Sequence, residues 1–171
     1  MQRYTGSRPT LGDLQRTLLS VRNLSKTAHT RRATREKFMQ FTPYLYFKGD
    51  CESALNFYET CGLGRILEIK RFEGTPMAER AGAAWRNKIL HSVFEGRWLR
   101  LCASDGPDSE PMKGCALLIE DSDPDSAKAL FDALSNGGRV TVPFQKQFWG
   151  DHYGNFTDKF GVQWAMNSAQ R

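Results

Sequence analysis

The chain lacks any long apolar run. None of its apolar stretches approaches the roughly 18 consecutive apolar residues that a membrane-spanning helix requires. Apolar residues still make up 40% of the 171 positions. That fraction is enough to build a packed core in one domain of ordinary size. We therefore expect a folded domain without a membrane partner.

Cysteine is scarce as well. The four cysteines are Cys51, Cys61, Cys102 and Cys115, and no two of them form a CxxC pair. The chain is not of the short, disulfide-dense kind, so free thiols are the simplest interpretation. Free thiols indicate a reducing compartment, and we expect a cytoplasmic protein.

Acidic residues are nearly missing from the first 40 positions. Only Asp13 and Glu36 oppose nine basic residues there, a local charge of +7 that leaves −2 for the rest of a chain whose net charge is +5. We interpret residues 1–40 as a basic N-terminal extension, partly helical or disordered, and residues 41–171 as the domain. The arginines lack interleaved aromatic side chains, so we expect no nucleic-acid partner.

An apolar stripe runs through this extension. Leu11, Leu14, Leu18 and Val21 recur at spacings of three and four, which is typical of one face of a helix. Three interpretations stay open: a surface helix that is docked or frayed, a transit peptide, or an upstream extension before a start at Met39.

A β-α-β-β-β unit follows the extension. A helix is predicted over residues 51–61, with Asp50 as its N-cap residue. Its buried stripe is formed by Ala54, Leu55 and Tyr58. Four strands are predicted at residues 42–48, 65–72, 88–94 and 97–103. Residues 73–87 are predicted to form a loop with a helical turn, and residues 105–113 a linker.

A second unit has the same order of elements. Asp123 is the predicted N-cap residue of a helix over residues 124–136. Asp158 is expected to order the turn between the last two strands as an Asx turn, and Trp164 and Met166 are expected to face the core. The predicted strands lie at residues 114–121, 139–147, 153–157 and 162–167.

The two units are copies of one another. Leu45 matches Leu117 at an offset of 72 residues, and the dipeptide that begins at Gly64 matches the one at Gly138 at an offset of 74. Such a unit leaves one sheet face apolar, so two units must pack or pair. The fold class that follows is α+β, with tandem βαβββ modules at residues 41–104 and 114–168 that form a cup-shaped, mostly antiparallel sheet pair.

Several segments carry a resemblance to a known family. The most specific are Gln147-Phe-Trp-Gly and Thr157-Asp-Lys-Phe-Gly-Val-Gln-Trp-Ala-Met-Asn167, together with Thr42-Pro-Tyr-Leu-Tyr-Phe. They resemble the PhnB-like branch, often labelled 3-demethylubiquinone methyltransferase-like, of the vicinal-oxygen-chelate superfamily. That superfamily includes glyoxalase I, extradiol dioxygenases and bleomycin-resistance proteins. Over residues 41–168 the resemblance implies two curved sheets around a cavity, in a homodimer, and no settled activity.

The resemblance also implies four metal-ligand positions, which metal-using members fill with His or Glu. They fall on Pro43, Arg100, Cys115 and Ala165. The internal repeat matches Pro43 with Cys115, and it matches Arg100 with Ala165 at the offset of 65 residues that also separates Gly96 from Gly161. Of these only the cysteine could bind a divalent ion. We therefore expect no cofactor and a lost metal site. A displaced divalent-metal site that uses His91 and Cys102 is the disfavoured alternative.

Four residues are the candidates for chemistry or binding. His91 lies mid-strand and could act as an acid/base group. Arg100 could pair with an anionic substrate group, and Trp149 and Tyr153 could line a ligand pocket. Each also has a purely structural interpretation: a buried neutral histidine, an exposed strand arginine, and core-filling aromatics.

Three functions are compatible with these residues. The leading one is a PhnB-like protein that binds a small, anionic or aromatic molecule, with the reaction unassigned and catalysis itself left open. The second is a non-catalytic protein of the bleomycin-resistance type that sequesters a drug or metabolite. The third is a metal-dependent lyase or dioxygenase with a displaced site.

Overall fold

The computed structural model describes residues 39–169, and this part of the chain contains two βαβββ modules. The three interpretations of residues 1–40 therefore fall almost wholly outside the described residues. The predicted α+β class with two tandem modules is confirmed. The elements of the first module are β1 (Tyr44–Phe47), α1 (Cys51–Thr60), β2 (Arg65–Arg71), α2 (Pro76–Ala81), a 3-10 turn (Ala83–Trp85), β3 (Ile89–Glu95) and β4 (Arg100–Asp105).

The second module repeats this order without the two short helices. Each module forms one four-stranded sheet, in the orders β1-β4-β3-β2 and β5-β8-β7-β6. In each sheet the first and last strands of the module pair in parallel and the other pairs are antiparallel. The elements of the second module are β5 (Leu117–Glu120), α3 (Pro124–Ser135), β6 (Arg139–Lys146), β7 (His152–Thr157) and β8 (Gln163–Ser168).

The repeated glycines lie where the strand after each helix meets the end of a neighbouring strand. A Cβ on Gly64 would come within 2.5 Å of the carbonyl oxygen of Glu95, and one on Gly138 within 2.3 Å of that of Thr157. No side chain fits at such a distance, so both modules need glycine there for close backbone approach. The internal repeat seen in the sequence therefore has a steric cause.

The long helices α1 and α3 each cover one face of their own sheet. In α1 the predicted stripe of Ala54, Leu55 and Tyr58 is fully buried. In the second module Trp164 and Met166 are buried, as predicted from strand alternation. We call the face of each sheet turned away from its helix the open face.

The N-terminus of α1 is not capped as the sequence suggested. Asp50 occupies the N-cap position, but its side chain makes no capping hydrogen bond in the described part of the chain. The backbone N–H of Cys51 instead donates to Asp105 Oδ1 at 2.9 Å, and Gly49 N–H donates to the same oxygen. Asp105, expected to begin the linker, is the buried last residue of β4. The prediction for Asp50 was wrong because the carboxylate of Asp105, distant in sequence, accepts the hydrogen bonds at this end of the helix.

The prediction for the second helix is confirmed. Asp123 accepts a hydrogen bond from the backbone N–H of Asp125 at 3.2 Å, and Pro124 occupies the first helical position. This cap is local in sequence, whereas the cap of α1 is not. The two copies of the module have therefore diverged at their helix N-termini.

Candidate functional site

A tyrosine–histidine pair lies on the open face of the first sheet. The hydroxyl of Tyr44 is 3.1 Å from His91 Nδ1, and the two rings are tilted with centroids 5.8 Å apart. Alternation along β1 places Tyr46 on the same face as Tyr44, and their rings stack at 4.8 Å. This face therefore presents a flat aromatic surface beside a titratable imidazole.

The pair is surrounded by further polar groups. On the neighbouring strand, Lys70 is the register partner of His91 and forms an ion pair of 2.7 Å with Glu68. Partial burial raises the pKa of Tyr44, with the hydrogen bond to Ser104 opposing it. Tyr44 is therefore a protonated phenol at neutral pH, able to donate its hydrogen.

Arg100 lies on this face too, but at its far end. Its guanidinium is 3.3 Å from Glu95 Oε1, and both side chains are about four-tenths exposed. Because Glu95 is four residues from His91 on β3, Arg100 lies roughly 13 Å along the strand from the imidazole. The two predicted site residues thus share a face without touching. Within the described part of the chain, Glu95 is the one side-chain partner of Arg100, which leaves other guanidinium donors available.

Trp149 and Tyr153 lie in the second module. Their rings meet edge to face at 5.9 Å, and the indole of Trp149 is half exposed. Tyr153 lies in β7, opposite Gln145 of β6 and next to the loop that carries Trp149. The two aromatic residues are neither core filling nor in contact with His91, so the four predicted residues form two separate groups.

Within the described residues, the second sheet carries buried polar atoms without partners, and strand alternation places only Asn155 among them on the same face as Tyr153. Within residues 39–169, three buried side-chain atoms have no hydrogen-bond partner: His152 Nδ1, Asn155 Oδ1 and Ser168 Oγ. The amide nitrogen of Asn155 is 3.4 Å from the Tyr153 hydroxyl, while its oxygen is unpaired. His152 is half buried and stacks on Phe144. An unpaired buried acceptor is costly unless water or a ligand supplies a donor.

A cavity of about 410 Å³ borders the edge of β1. It is lined by β1, by residues 109–112 of the linker and by residues 160–162 of the last turn, and its volume suits a small organic ligand. Tyr44 and Tyr46 line it, whereas His91, Arg100, Trp149 and Tyr153 do not. Tyr44 thus connects the cavity to the imidazole.

The strand register changes the expected metal positions. Leu45 pairs with Ala103 and Leu117 with Trp164, so Ala165 is equivalent to Ser104. The equivalence of Ala165 with Arg100 was wrong, because the turn glycines at the same offset, Gly96 and Gly161, lie at different places in their loops: Gly96 directly follows β3, whereas Gly161 lies two residues before β8. Hydroxyl and methyl side chains at these positions do not suit a divalent cation.

The displaced metal site, the disfavoured alternative, has too few donors among the described residues. Cys102 is adjacent to Tyr44 across the parallel pair of strands, and His91 bonds the same tyrosine. Among the described residues, no group of three or more His, Cys, Asp or Glu side chains is arranged to hold a metal ion. Two donors do not make a stable site. The residues present therefore do not fit the metal chemistry that the superfamily uses elsewhere.

Tyr44 is the functional candidate that the sequence analysis missed. The segment Tyr44-Leu-Tyr-Phe47 was interpreted only as a strand, although its alternation already placed both tyrosines on one face. Asn155 was missed as well, and nothing in its sequence context distinguished it. Its unpaired amide oxygen becomes visible only when its strand neighbours are known.

The chain matches the family model of the Glyoxalase/Bleomycin resistance protein/Dioxygenase superfamily over residues 40–166. It belongs to this superfamily. The protein YjdN of Escherichia coli (strain K12) is 27% identical over an alignment 139 residues long that covers 75% of this chain and 95% of YjdN.

Two solved structures support the same assignment. Protein PA1353 from Pseudomonas aeruginosa is 34% identical, with a TM-score of 0.69 over 78% of this chain and all of that one. A PhnB protein from Bacillus cereus is 21% identical, with a TM-score of 0.65 over 77% of this chain and all of that one. The predicted PhnB-like branch fits these neighbours. No helix in residues 39–169 is long and apolar enough to cross a membrane.

Proposed function

We propose that this PhnB-like protein binds a small anionic or aromatic molecule against the open face of its first sheet. The observation that carries the proposal is the hydrogen bond between Tyr44 and His91 beside the exposed stack with Tyr46. Planar rings stack on such a surface, while the imidazole and Arg100 supply donors for an anionic oxygen. The cavity next to Tyr44 has room for a molecule of this size.

His91 is the acid/base group in any reaction that the bound molecule undergoes, and Arg100 holds an anionic group. Trp149 and Tyr153, with the unpaired oxygen of Asn155, form a second contact surface. Because these two groups are separate within one chain, the proposal includes a homodimer, in which a second copy covers the open faces. Its support is the exposure of Tyr46 (62%) and Leu118 (56%) on those faces.

The proposal includes a lost metal site and a cytoplasmic location. The donor set at the matching strand positions does not suit a divalent ion. All four cysteines lie within the described residues and carry free thiols, which supports a reducing compartment.

A thermal-shift panel tests the binding proposal. Benzoate, benzylamine and inorganic phosphate are compared, each with and without divalent metal ions. Benzoate should raise the melting temperature most, because it combines a ring with a carboxylate, and the rise should not require metal. The proposal fails if none of the three compounds raises the melting temperature, or if stabilisation requires a metal ion. Sedimentation of the unliganded protein tests the homodimer, which a monomer at micromolar concentration would contradict.

The second candidate is a sequestering protein of the bleomycin-resistance type. The exposed stack of Tyr44 and Tyr46 favours it, since aromatic stacking binds planar ligands without any acid/base group. The substitution His91→Ala separates the two candidates. A catalyst loses turnover of its ligand, measured by mass spectrometry of the product, whereas a sequestering protein shows no turnover before or after the substitution and keeps most of its affinity.

A further inference from the structure

The contact between Tyr44 and His91 uses one particular ring nitrogen. The phenol oxygen lies 3.1 Å from Nδ1, so Nε2 is the nitrogen left for other partners. A neutral imidazole carries one N–H and one acceptor nitrogen, and the bond made at one nitrogen determines where the proton lies. Whether Tyr44 or His91 donates this hydrogen bond therefore decides whether Nε2 of His91 is a donor or an acceptor for a ligand.

The local chemistry favours the tyrosine as the donor. Burial raises the pKa of Tyr44, so its hydroxyl keeps its proton at neutral pH. A phenol that donates to Nδ1 leaves the proton of neutral His91 on Nε2. The other charged groups near the imidazole, Glu68 and Lys70, are already paired with each other at 2.7 Å.

We propose that Tyr44 is a positioning residue that fixes neutral His91 as the Nε2–H tautomer, so that the site selects ligands presenting an acceptor oxygen. A carboxylate or a carbonyl oxygen satisfies this donor, whereas an ammonium group does not. The statement about ligands rests on the proposed function. The statement about the tautomer does not, because it concerns the unliganded protein alone.

Long-range ¹H–¹⁵N spectra of the histidine rings test the tautomer. The chain has only three histidines, and His91→Gln identifies the signals of His91 by their loss. At a pH where the ring is neutral, Nδ1 should resonate as an unprotonated nitrogen and Nε2 as a protonated one. A protonated Nδ1 in the wild-type protein would overturn the proposal outright, whatever the variants do.

Two matched variants separate positioning from packing. Tyr44→Phe keeps the ring and removes the donor, so the His91 nitrogens should shift towards a mixture of tautomers. Tyr46→Phe keeps both rings and the Tyr44 hydroxyl, so the His91 signals should not move. Unchanged signals in Tyr44→Phe, with a native backbone spectrum, would refute the assigned role.

Benzoate and benzylamine test the ligand part of the proposal. Benzoate should shift the Nε2 signal of the wild-type protein and bind about tenfold more weakly to Tyr44→Phe, since one charge-assisted hydrogen bond is no longer aligned. Benzylamine should leave the Nε2 signal unchanged. If benzoate leaves His91 unaffected while the tautomer result holds, the proposed ligand site is wrong and the positioning role of Tyr44 stands.

Discussion

The hydroxyl of Tyr58 donates a hydrogen bond of 2.7 Å to the carboxylate of Asp158, one hundred residues further along the chain. The oxygen that accepts this bond, Oδ2, also accepts a hydrogen bond from Trp164 Nε1 at 2.9 Å. The other carboxylate oxygen, Oδ1, accepts from the backbone N–H groups of Phe160 and Val162. The bond to Phe160 confirms the predicted Asx turn. The bonds to Tyr58 and Trp164 join helix α1 of the first module to the last hairpin of the second.

Removing the Asp158 carboxylate should therefore destabilise the domain strongly. Asp158→Ala leaves two buried side-chain donors without an acceptor, and we expect a loss of about 3–4 kcal/mol in the free energy of unfolding. Urea denaturation measures it. Asp108→Ala, in an exposed loop, is the matched control and should change stability by less than about 0.5 kcal/mol. Similar effects of the two substitutions would contradict this account.

The two aspartates near the N-terminus of α1 should contribute unequally to the stability of the domain. Asp105→Ala removes an acceptor for the backbone N–H groups of Gly49, Cys51 and Ile89 and should cost about 2–4 kcal/mol. Asp50→Ala should cost less than about 0.5 kcal/mol, although Asp50 occupies the N-cap position. Unfolding in urea compares them directly. A larger loss at Asp50 would mean that the local residue is the true cap.

The buried thiol of Cys51 should make the domain sensitive to alkali. Burial first, and then the charge of Asp105, raise its pKa from 9.0 to about 12. Below pH 9 the thiol is protonated in both the folded and the unfolded state. Between pH 9 and 12 only the unfolded state releases the proton, so the free energy of unfolding falls as the pH rises. Burial also raises the pKa of Tyr58, which adds a further loss above pH 10.

Cys51→Ala tests this pH dependence. The urea midpoint of the wild-type protein should begin to fall near pH 9, whereas the variant should show its fall only at the higher pH where Tyr58 contributes. In the native protein, iodoacetamide should modify the exposed Cys115 well before Cys51. An identical alkaline profile for both proteins would show that the thiol has no part in it.

The unpaired amide oxygen of Asn155 should lower the stability of the unliganded domain. Its amide oxygen is buried without a partner, so Asn155→Leu, of similar volume, should raise the free energy of unfolding by about 0.5–1 kcal/mol. Asn56→Leu, exposed on α1, is the control and should have little effect. Chemical denaturation without ligand is the measurement. A loss of stability at Asn155 would indicate that the oxygen is bonded in solution, for example to water.

The fold was predictable because its signals are local and repeated. The stripe of Ala54, Leu55 and Tyr58 identified α1, and Asp123 with Pro124 identified the start of α3. Alternation identified Trp164 and Met166 as core residues. The repeated glycines at 64 and 138 marked the duplication. Each signal depends only on neighbouring residues, on the helical or strand period, or on comparing one half of the chain with the other.

The candidate site was only partly predictable from the sequence. His91 was singled out as a titratable residue in an apolar strand, but its partner Tyr44 lies 47 residues away and belongs to a strand that does not pair with β3. The equivalence of Arg100 and Ala165 was wrong because a sequence offset does not show where a glycine lies within its turn. Roles for His91, Arg100, Trp149 and Tyr153 stay predictions.

The sequence by itself determined the elements, their order and the duplication, since hydrophobic period and backbone preference act over a few residues. Only the tertiary structure decided that Asp105 rather than Asp50 caps α1. It also decided that Asp158 accepts a hydrogen bond from Tyr58, and that Tyr44 lies within hydrogen-bond distance of His91. These contacts depend on sheet order and register. Which distant strands become neighbours is set by the packing of the whole domain and not by the residues on either side of each group.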